Sequence, residues 1–168
     1  MPLQVVQLQV GTDAPDFELA DADMHMFSLN AQLGKQVVLY FYPKDDTPGC
    51  TMEANEFSDH EDEFVRYDTI VVGISRDDCI SHATFRDKYG LSVQLLSDTD
   101  GRICKKYGVL YEKEACVEHG RSIDGHKKLA IQRSTFIIDR KGKLRHVLYG
   151  VHAHGHAQEI IKLIKEMK

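Results

Sequence analysis

Cys50 occupies the position in this sequence that most clearly predicts chemical reactivity. It ends the segment 40–50, in which a strand-like apolar run is followed by signals for the start of a helix. A cysteine in the first turn of a helix faces unpaired N–H groups and the positive end of the helix dipole, and both favour the ionised thiolate. Because the thiolate is the nucleophilic form, the sequence predicts that Cys50 is a nucleophile.

Two other roles are open to Cys50 from its position alone. A free cysteine is often buried as a small apolar side chain without a chemical role. The second alternative is a thioredoxin-type dithiol, which requires a C-x-x-C pair, but the third residue after Cys50 is Glu53. The position at a helix start favours the reactive thiolate over both.

The local structure around Cys50 follows from the residues that precede it. Residues 37–41 are β-branched, aliphatic or aromatic and predict a buried strand, which Pro43 ends because proline donates no backbone hydrogen bond. Thr47 is a good N-cap, and Pro48 suits the first helical position. The helix is therefore expected to begin at Pro48, with Cys50 in its first turn.

The periodicity of the whole chain predicts an α/β fold. Strand and helix patterns alternate in the first half, as in βαβ units, and the chain ends with a hairpin and an amphipathic helix. We expect one domain over residues 1–168, a thioredoxin-like mixed β-sheet flanked by helices with an N-terminal β-ribbon. The expected strands are 16–19 and 26–29 in the ribbon, followed by 36–42, 69–75 and 93–96, and by a hairpin of 134–139 with 143–149. The expected helices run from 48 to about 67, from 77 or 78 to 89, and over 99–107. A last helix carries Ile160, Leu163, Ile164 and Met167 on one face.

Composition and charge exclude several classes of protein. A chain of 168 residues is large enough to fold without disulfides or a structural metal, and its net charge of -5 argues against nucleic-acid binding. The N-terminal residues lack the pattern of a signal peptide, and the sequence has no apolar run of the about 18 residues that a membrane span needs. The four cysteines follow neither a metal-ligand spacing nor a secreted disulfide framework. A cytoplasmic protein without a metal or other cofactor is expected.

The segment from Tyr42 to Glu53 resembles the active-site signature of the peroxiredoxins, in which a proline and then a threonine precede the cysteine. Further segments resemble the bacterioferritin-comigratory-protein class, also called peroxiredoxin Q. They follow one another in the order of that class over nearly the whole chain, which makes the resemblance far more specific than a single motif. These segments are residues 14–17, 73–75, 81–85, 88–89, 96–98, 106–109 and 133–139.

The resemblance implies a peroxidase that reduces hydrogen peroxide and organic hydroperoxides. Cys50 would be the peroxidatic nucleophile, which attacks one peroxide oxygen and becomes a sulfenic acid. Thr47 would orient the peroxide, and the ring of Pro43 would limit the access of water to the thiolate. The charge of Arg133 would stabilise the thiolate and polarise the peroxide, and Glu53 would hold this arginine by an ion pair.

The same resemblance implies how the enzyme is recycled and in what form it acts. A thiol reductant, thioredoxin or another, would return the sulfenic acid to the thiol, as part of antioxidant defence. Proteins of this class are often monomeric, so a monomer or a weak dimer is expected.

Position 55 departs from the pattern of the class. Many members carry a resolving cysteine five residues after the nucleophile, where this chain has Asn55. Cys79 lies at a predicted helix start, which favours reactivity, whereas Cys104 lies in a predicted short helix that favours packing. Cys116 lies in the long segment 112–132 and is a further candidate. A Cys50–Cys79 disulfide and a mechanism with one cysteine both remain open.

Two alternative interpretations assign the protein to a functional class other than the peroxidases. His152, His154 and His156 alternate on an extended segment, and imidazoles on one side of such a segment can bind Zn, Cu or Ni, although they also fit a solvated loop. In the other interpretation the fold is the same, but the protein is a chaperone-like or redox-sensing relative that passes oxidation to a partner. Loss of function in Cys50→Ser would distinguish the peroxidase from a metal-binding protein.

Overall fold

A seven-stranded mixed β-sheet forms the centre of the molecule. The computed structural model describes residues 7–114, 117–118, 121–122 and 127–167. In this part of the chain, two two-stranded sheets are present in addition to the main one. The strands are β1 (Glu18–Asp21), β2 (Met26–Ser28), β3 (Gln36–Phe41), β4 (Thr69–Ser75), β5 (Gln94–Ser97), β6 (Leu110–Glu114), β7 (Val117–Glu118), β8 (Arg121–Ser122), β9 (Lys127–Ile131), β10 (Ser134–Ile138) and β11 (Leu144–Tyr149).

Five α-helices occur in the described part of the chain. They are α1 (Pro48–Asp59), α2 (Glu61–Arg66), α3 (Cys79–Tyr89), α4 (Arg102–Lys106) and α5 (His156–Glu166), and a short 3-10 turn spans Asn30–Gln32. None of these helices is long and apolar enough to cross a membrane.

The strand order brings distant parts of the sequence to one edge of the sheet. The order is β11-β10-β3-β4-β5-β1-β2, with β3, β4 and β5 parallel and β10 antiparallel to β3. The carboxyl ends of the parallel strands therefore meet at the same edge. Because β10 runs the other way, its first residue, Ser134, lies opposite Phe41, the last residue of β3.

Strand β3 is buried on both faces of the sheet. All six of its residues are buried, and alternate side chains join two different apolar clusters. Leu39 and Phe41 pack with the N-terminal ribbon and α4, whereas Val38 and Tyr40 pack with α1, α3 and α5. A strand covered on both sides explains why the sequence there is apolar without alternation.

Most of the expected elements are confirmed. The strand 69–75 is observed as predicted, and the hairpin is formed by β10 and β11. Helix α3 follows Asp78, whose carboxylate accepts the N–H of Ser81, and it ends at Gly90 in the left-handed conformation with a φ of 62°. Helix α5 buries Ile160 and Ile164, as its periodicity indicates.

The helix that follows Cys50 is shorter than expected. The prediction of one helix to about Tyr67 is wrong, because α1 ends at Asp59. His60 leaves the helical conformation, with φ −101° and ψ 14°, and α2 begins after it. The first three residues of α2, 61–63, are acidic and complement the positive end of a new helix dipole.

Helix α4 begins later than expected, at Arg102 instead of Thr99. The carboxylate of Asp98 accepts the N–H groups of Ile103 and Cys104, and Gly101 takes a positive φ of 74°. The residues before Arg102 therefore form the turn that caps this helix rather than part of it.

The sequence analysis missed the pairing of β6 with β9. No strand was predicted in the long segment 112–132, but β6 and β9 pair antiparallel, with Leu110 opposite Ile131 and Glu114 opposite Lys127. Because twelve residues separate the two strands, no short turn motif marks them as a hairpin. Cys116 lies outside the described residues.

Candidate active site

Cys50 lies where the sequence predicts it, in the first turn of α1. The helix begins at Pro48 after the N-cap Thr47, so Cys50 is its third residue. The N–H groups of a first helical turn have no partner within the helix. The thiol is 1% exposed and packs against the cluster formed by β3, α1, α3 and α5. This thiol is therefore both near a helix N-terminus and shielded from bulk water.

The guanidinium of Arg133 contacts Cys50 directly. Its Nη2 donates to the Cys50 sulfur at 3.4 Å, and its Nη1 donates to Oε1 of Glu53 at 2.6 Å. Arg133 precedes β10, so the antiparallel pairing with β3 carries it to the end of the sheet from which α1 departs. The fold thus brings together two residues 83 positions apart.

Glu53 holds the guanidinium from inside the protein. Its side chain is 1% exposed, and its Oε2 has no hydrogen-bond partner in the described part of the chain. Burial raises the pKa of Glu53 from its ordinary 4.5 to about 7, although the charge of Arg133 and its hydrogen bond act in the opposite direction. Burial lowers the pKa of Arg133, but the charges of Glu53 and Cys50 outweigh it, and the net change is upward. Arg133 therefore stays charged.

Glu53 is expected to make the stability of the protein depend on pH. Its carboxyl loses its proton near pH 4.5 when unfolded and near pH 7 when folded, so the folded state binds more protons between these values. The free energy of unfolding of the native protein, relative to Glu53→Gln, should fall as the pH rises from 4.5 to 7, by at most about 1.4 kcal/mol per pH unit. Urea unfolding of both proteins across this range measures the difference, and a constant difference would contradict the assignment.

Gly49 is a site residue that the sequence analysis missed. A Cβ atom at position 49 would lie 3.1 Å from Nη2 of Arg133 and 4.0 Å from Cβ of Ala153. The absence of a side chain therefore leaves room for the guanidinium next to the sulfur. A glycine at the second position of a helix, directly before the cysteine, is the only signal of this role in the sequence.

Thr47 is the N-cap residue by position, but its side chain does not cap the helix. The hydroxyl donates to the carbonyl oxygen of Lys44 at 2.9 Å and makes no hydrogen bond to an N–H of α1. This part of the capping prediction is wrong, because a carbonyl three residues back competes for the hydroxyl. Since its proton is used on Lys44, the Thr47 oxygen offers lone pairs to a molecule near Cys50.

Pro43 lines a groove together with Arg133. Pro43 is exposed and begins the loop 43–47 between β3 and α1. The groove has a volume of about 500 Å³. Its other walls are mostly apolar or backbone and are formed by Gly108, Leu110, Tyr111, Ile131, Gln132, Gly150 and Val151.

The other described cysteines differ from Cys50 in their surroundings. Cys79 is the first residue of α3, half-buried and with a free thiol. Cys104 is fully buried, and burial followed by the charge of Asp98 raises the pKa of its thiol far above the usual range. Cys104 is therefore an inert packing residue, as the sequence favours.

The three alternating histidines lie in different environments. His154 has an 88% exposed side chain, whereas His156 is 1% exposed, with its Nε2 2.7 Å from the hydroxyl of Thr135. Burial lowers the pKa of His156, which favours the neutral imidazole. The one described group of three side chains that could ligate a metal is Asp45, Asp77 and His82. The histidine segment therefore does not present its imidazoles together.

Comparison with known proteins places this site in a family. Residues 10–147 match the model of the AhpC/TSA family. The chain belongs to this family. It is similar to peroxiredoxin Bcp of Escherichia coli, with 36% identity over 159 residues that cover 95% of this chain and 97% of the relative. Peroxiredoxin Bcp of Bacillus subtilis is 34% identical over 160 residues, with coverage of 95% and 97%.

Solved structures of AhpC/TSA proteins share the architecture. A cysteine-to-serine variant of PrxQ from Xylella fastidiosa superimposes with a TM-score of 0.85 and 30% identity, covering 96% of this chain and 98% of that one. The bacterioferritin comigratory protein of Xanthomonas campestris, studied for its alkyl peroxide reduction activity, gives a TM-score of 0.80 and 33% identity, covering 89% and 90%.

The resemblance seen in the sequence is thereby confirmed. The chain is a peroxiredoxin of the bacterioferritin-comigratory class with the thioredoxin-like peroxiredoxin fold. Its reaction is the thiol-dependent reduction of hydroperoxides.

Proposed function

We propose that Cys50 is the peroxidatic nucleophile of this peroxidase, with Arg133, Glu53, Thr47 and Pro43 as its helpers. The observation that carries this assignment is the guanidinium of Arg133, which donates at once to the sulfur of Cys50 and to the buried carboxyl of Glu53. A fixed cation beside the sulfur stabilises the thiolate and the charge that develops on the peroxide.

The first half of the reaction exchanges one bond for another. The Cys50 thiolate attacks the terminal oxygen of the hydroperoxide, a sulfur–oxygen bond forms and the oxygen–oxygen bond breaks. The transferred oxygen keeps its proton in the sulfenic acid, and the departing alkoxide or hydroxide takes a proton from solvent. Arg133 lowers the barrier because negative charge moves from sulfur onto the oxygens within reach of its N–H groups.

Thr47 and Pro43 act on the incoming peroxide. The hydroxyl of Thr47 donates to Lys44, so its oxygen is set to accept the O–H of a hydroperoxide. This hydrogen bond and those from Arg133 would hold the peroxide in line with the sulfur. The ring of Pro43 would limit the access of water to the sulfur.

The groove beside Arg133 supports organic hydroperoxides as substrates in addition to hydrogen peroxide. Its lining combines Arg133 with apolar side chains, among them Leu110, Ile131 and Val151. The polar end of an alkyl hydroperoxide would face Arg133 while its hydrocarbon part lies along these side chains.

Gly49→Ala tests whether the guanidinium must lie close to the sulfur. The added Cβ would force the Arg133 side chain to move by a few tenths of an ångström. We expect the rate constant for oxidation of Cys50 by hydrogen peroxide to fall about three- to tenfold, with little loss of stability, because alanine is favourable within a helix. Peroxide consumption in competition with a second peroxidase measures the rate. An unchanged rate constant would show that this close packing has no catalytic role.

The second half of the reaction returns the sulfenic acid to the thiol. We propose thioredoxin as the reductant, with other small or protein thiols as alternatives that the assay distinguishes. Asn55 offers no thiol, so Cys79 is the candidate for an internal disulfide. Because Cys50 is 1% exposed, the first turn of α1 would have to open before Cys79 or an external thiol reaches its sulfur.

Mapping of the oxidised thiols tests both the nucleophile and the second half-reaction. One equivalent of peroxide should oxidise Cys50, and non-reducing peptide mass spectrometry should detect a Cys50–Cys79 crosslink that is absent in Cys79→Ser. A sulfenic acid or mixed disulfide on Cys50 without this crosslink would assign the mechanism with one cysteine. Oxidation elsewhere with Cys50 still reduced would contradict the proposed function.

The proposed setting is the cytoplasm, with a monomer or weak dimer as the acting form. A reducing compartment supplies the thiol reductant that the enzyme needs. Sedimentation at several protein concentrations measures the oligomeric state.

A further inference from the structure

The loop that carries Pro43 and Thr47 contains a buried carboxylate, Asp45. Its side chain is 4% exposed. Oδ1 accepts the phenol of Tyr42 at 2.6 Å, and Oδ2 accepts the hydroxyl of Ser81 at 2.8 Å and lies 2.7 Å from Nδ1 of His82. The backbone N–H of Asp45 donates to Asp77 at 2.8 Å. One acidic residue of an exposed loop thus points into the protein, where both of its carboxylate oxygens accept hydrogen bonds.

His82 is fully buried and has acceptors at both ring nitrogens. Nε2 lies 3.0 Å from the carbonyl oxygen of Leu96, which can only accept, so Nε2 carries a proton. Nδ1 faces a carboxylate oxygen of Asp45, so a second proton must lie between these two atoms. The contact is therefore a charge-assisted hydrogen bond, which is shorter and stronger than a neutral one.

The contacts of Asp45 connect the loop to rigid elements behind it. Ser81 and His82 belong to α3, and Leu96 belongs to β5. Asp77, which accepts the N–H of Asp45, also accepts the hydroxyl of Ser75 at the end of β4. Because these oxygen and nitrogen atoms already have protein partners, the group serves as a hydrogen-bonded anchor rather than as an open ligand set.

We propose that Asp45 and His82 are positioning residues for peroxide reduction, which fix the loop 43–47 so that Thr47 and Pro43 meet the hydroperoxide. This inference rests on the proposed function of Cys50 and Thr47. His82 touches neither the sulfur nor the groove in the described structure, and acts through Asp45, two residues before Thr47. A displacement of the order of 1 Å at a reacting group can reduce a rate about 100-fold, so a loosened loop has a measurable effect.

The inference predicts that two reagents respond differently at Cys50. Hydrogen peroxide needs the thiolate and the correctly placed loop. Iodoacetamide needs only the thiolate and access to it. Loss of the anchor should therefore slow oxidation by peroxide and leave alkylation unchanged, whereas a general loss of structure would alter both.

Two substitutions of His82 separate its two hydrogen bonds. In His82→Gln the amide nitrogen can replace Nε2 and reach Leu96, while the bond to Asp45 is lost. In His82→Asn it can replace Nδ1 and reach Asp45, while the bond to Leu96 is lost. We expect His82→Gln to lower the peroxide rate constant about 10- to 100-fold with alkylation within about twofold of the native rate. His82→Asn should keep a peroxide rate constant about tenfold higher than that of His82→Gln.

Tyr42→Phe and Tyr107→Phe form a matched pair that leaves the imidazole of His82 in place. Both side chains are buried and each phenol donates one hydrogen bond at 2.6 Å, that of Tyr42 to Asp45 and that of Tyr107 to the carbonyl oxygen of Pro15. The Tyr42 hydroxyl also lies 3.4 Å from Nδ1 of His82, whereas Tyr107 belongs to the apolar cluster on the other face of the sheet from Cys50. Tyr42→Phe should slow oxidation by peroxide about three- to tenfold without changing alkylation, and Tyr107→Phe should change neither rate.

Mass spectrometry of Cys50 after reaction with each reagent decides between the outcomes. Equal slowing of both reagents in His82→Gln and Tyr42→Phe would show that the anchor only supports folding, and unchanged peroxide rates would also overturn the inference. If Cys50 of the native protein is not oxidised by peroxide, the proposed function fails instead. If Cys50 is oxidised at the same rate in the native protein and in all the variants, only the inference about the anchor is overturned.

Discussion

Cys50→Ser is expected to abolish peroxidase turnover, with hydrogen peroxide consumption at the background level whichever thiol reductant is supplied. A serine hydroxyl is not ionised near neutral pH and cannot form the sulfenic acid, and loss of a catalytic nucleophile lowers turnover by at least about 10⁴-fold. Serine is close to cysteine in shape, and the position is a helix start, so the fold should persist. An assay that follows NADPH through thioredoxin reductase and thioredoxin measures the loss.

Cys79→Ser is the matched control for this substitution. Cys79 is also at a helix start and half-buried, but the hydrogen bond from Arg133 goes to Cys50. The first oxidation of the remaining Cys50 should proceed at the native rate in this variant, whatever happens to later turnovers. If Cys50→Ser kept its peroxidase activity, Cys50 would not be the nucleophile. The alternative of a metal-binding or purely structural protein would then have to be considered.

The start of α1 was predictable because its determinants are local. A run of apolar residues ended by Pro43, followed by Thr47 and Pro48, specifies a strand, a loop and a helix start within a dozen positions. Asp78 and Gly90 mark the two ends of α3 in the same way. Cys50 could therefore be singled out as reactive before any fold was known.

The partners of Cys50 could not be predicted from local sequence. Arg133 reaches the sulfur only because β10 pairs antiparallel with β3, and a single arginine before a strand carries no sign of that pairing. The family resemblance pointed to it, whereas the residue types alone did not. Gly49 illustrates the same limit, since its role depends on where the guanidinium lies. Whether the Thr47 hydroxyl caps α1 or donates to Lys44 likewise depends on the conformation of the loop, which the residue types do not specify.

The inward turn of Asp45 shows how tertiary context overrides a local pattern. Two adjacent aspartates in a loop normally indicate a solvated surface. Here Asp46 takes that role and binds the exposed Lys88 and Tyr89, while Asp45 enters the core to meet His82. Two of the three side chains that make its burial favourable, Ser81 and His82, lie 36 and 37 positions away.

Arg133→Gln is expected to lower the rate constant for oxidation of Cys50 by about 10²- to 10³-fold, the usual effect of removing one donor that stabilises developing negative charge. Its side chain is only 17% exposed, so its charge acts on the sulfur with little screening by water. The variant should also be less stable above about pH 7, because the buried carboxyl of Glu53 then has no cation beside it and must keep a proton to stay neutral, which costs at most about 1.4 kcal/mol per pH unit. Peroxide competition and urea unfolding measure the two effects.

The double variant Arg133→Gln/Glu53→Gln separates catalysis from stability. Both charges are removed together, and the two amides can form a neutral hydrogen bond in place of the 2.6 Å contact, so much of the lost stability should return. The rate constant should stay as low as in Arg133→Gln, because the cation beside the sulfur is still absent. Recovery of the rate together with stability would mean that Arg133 serves only to neutralise Glu53. A low rate in a stable protein would instead assign the cation a direct role in the reaction with peroxide.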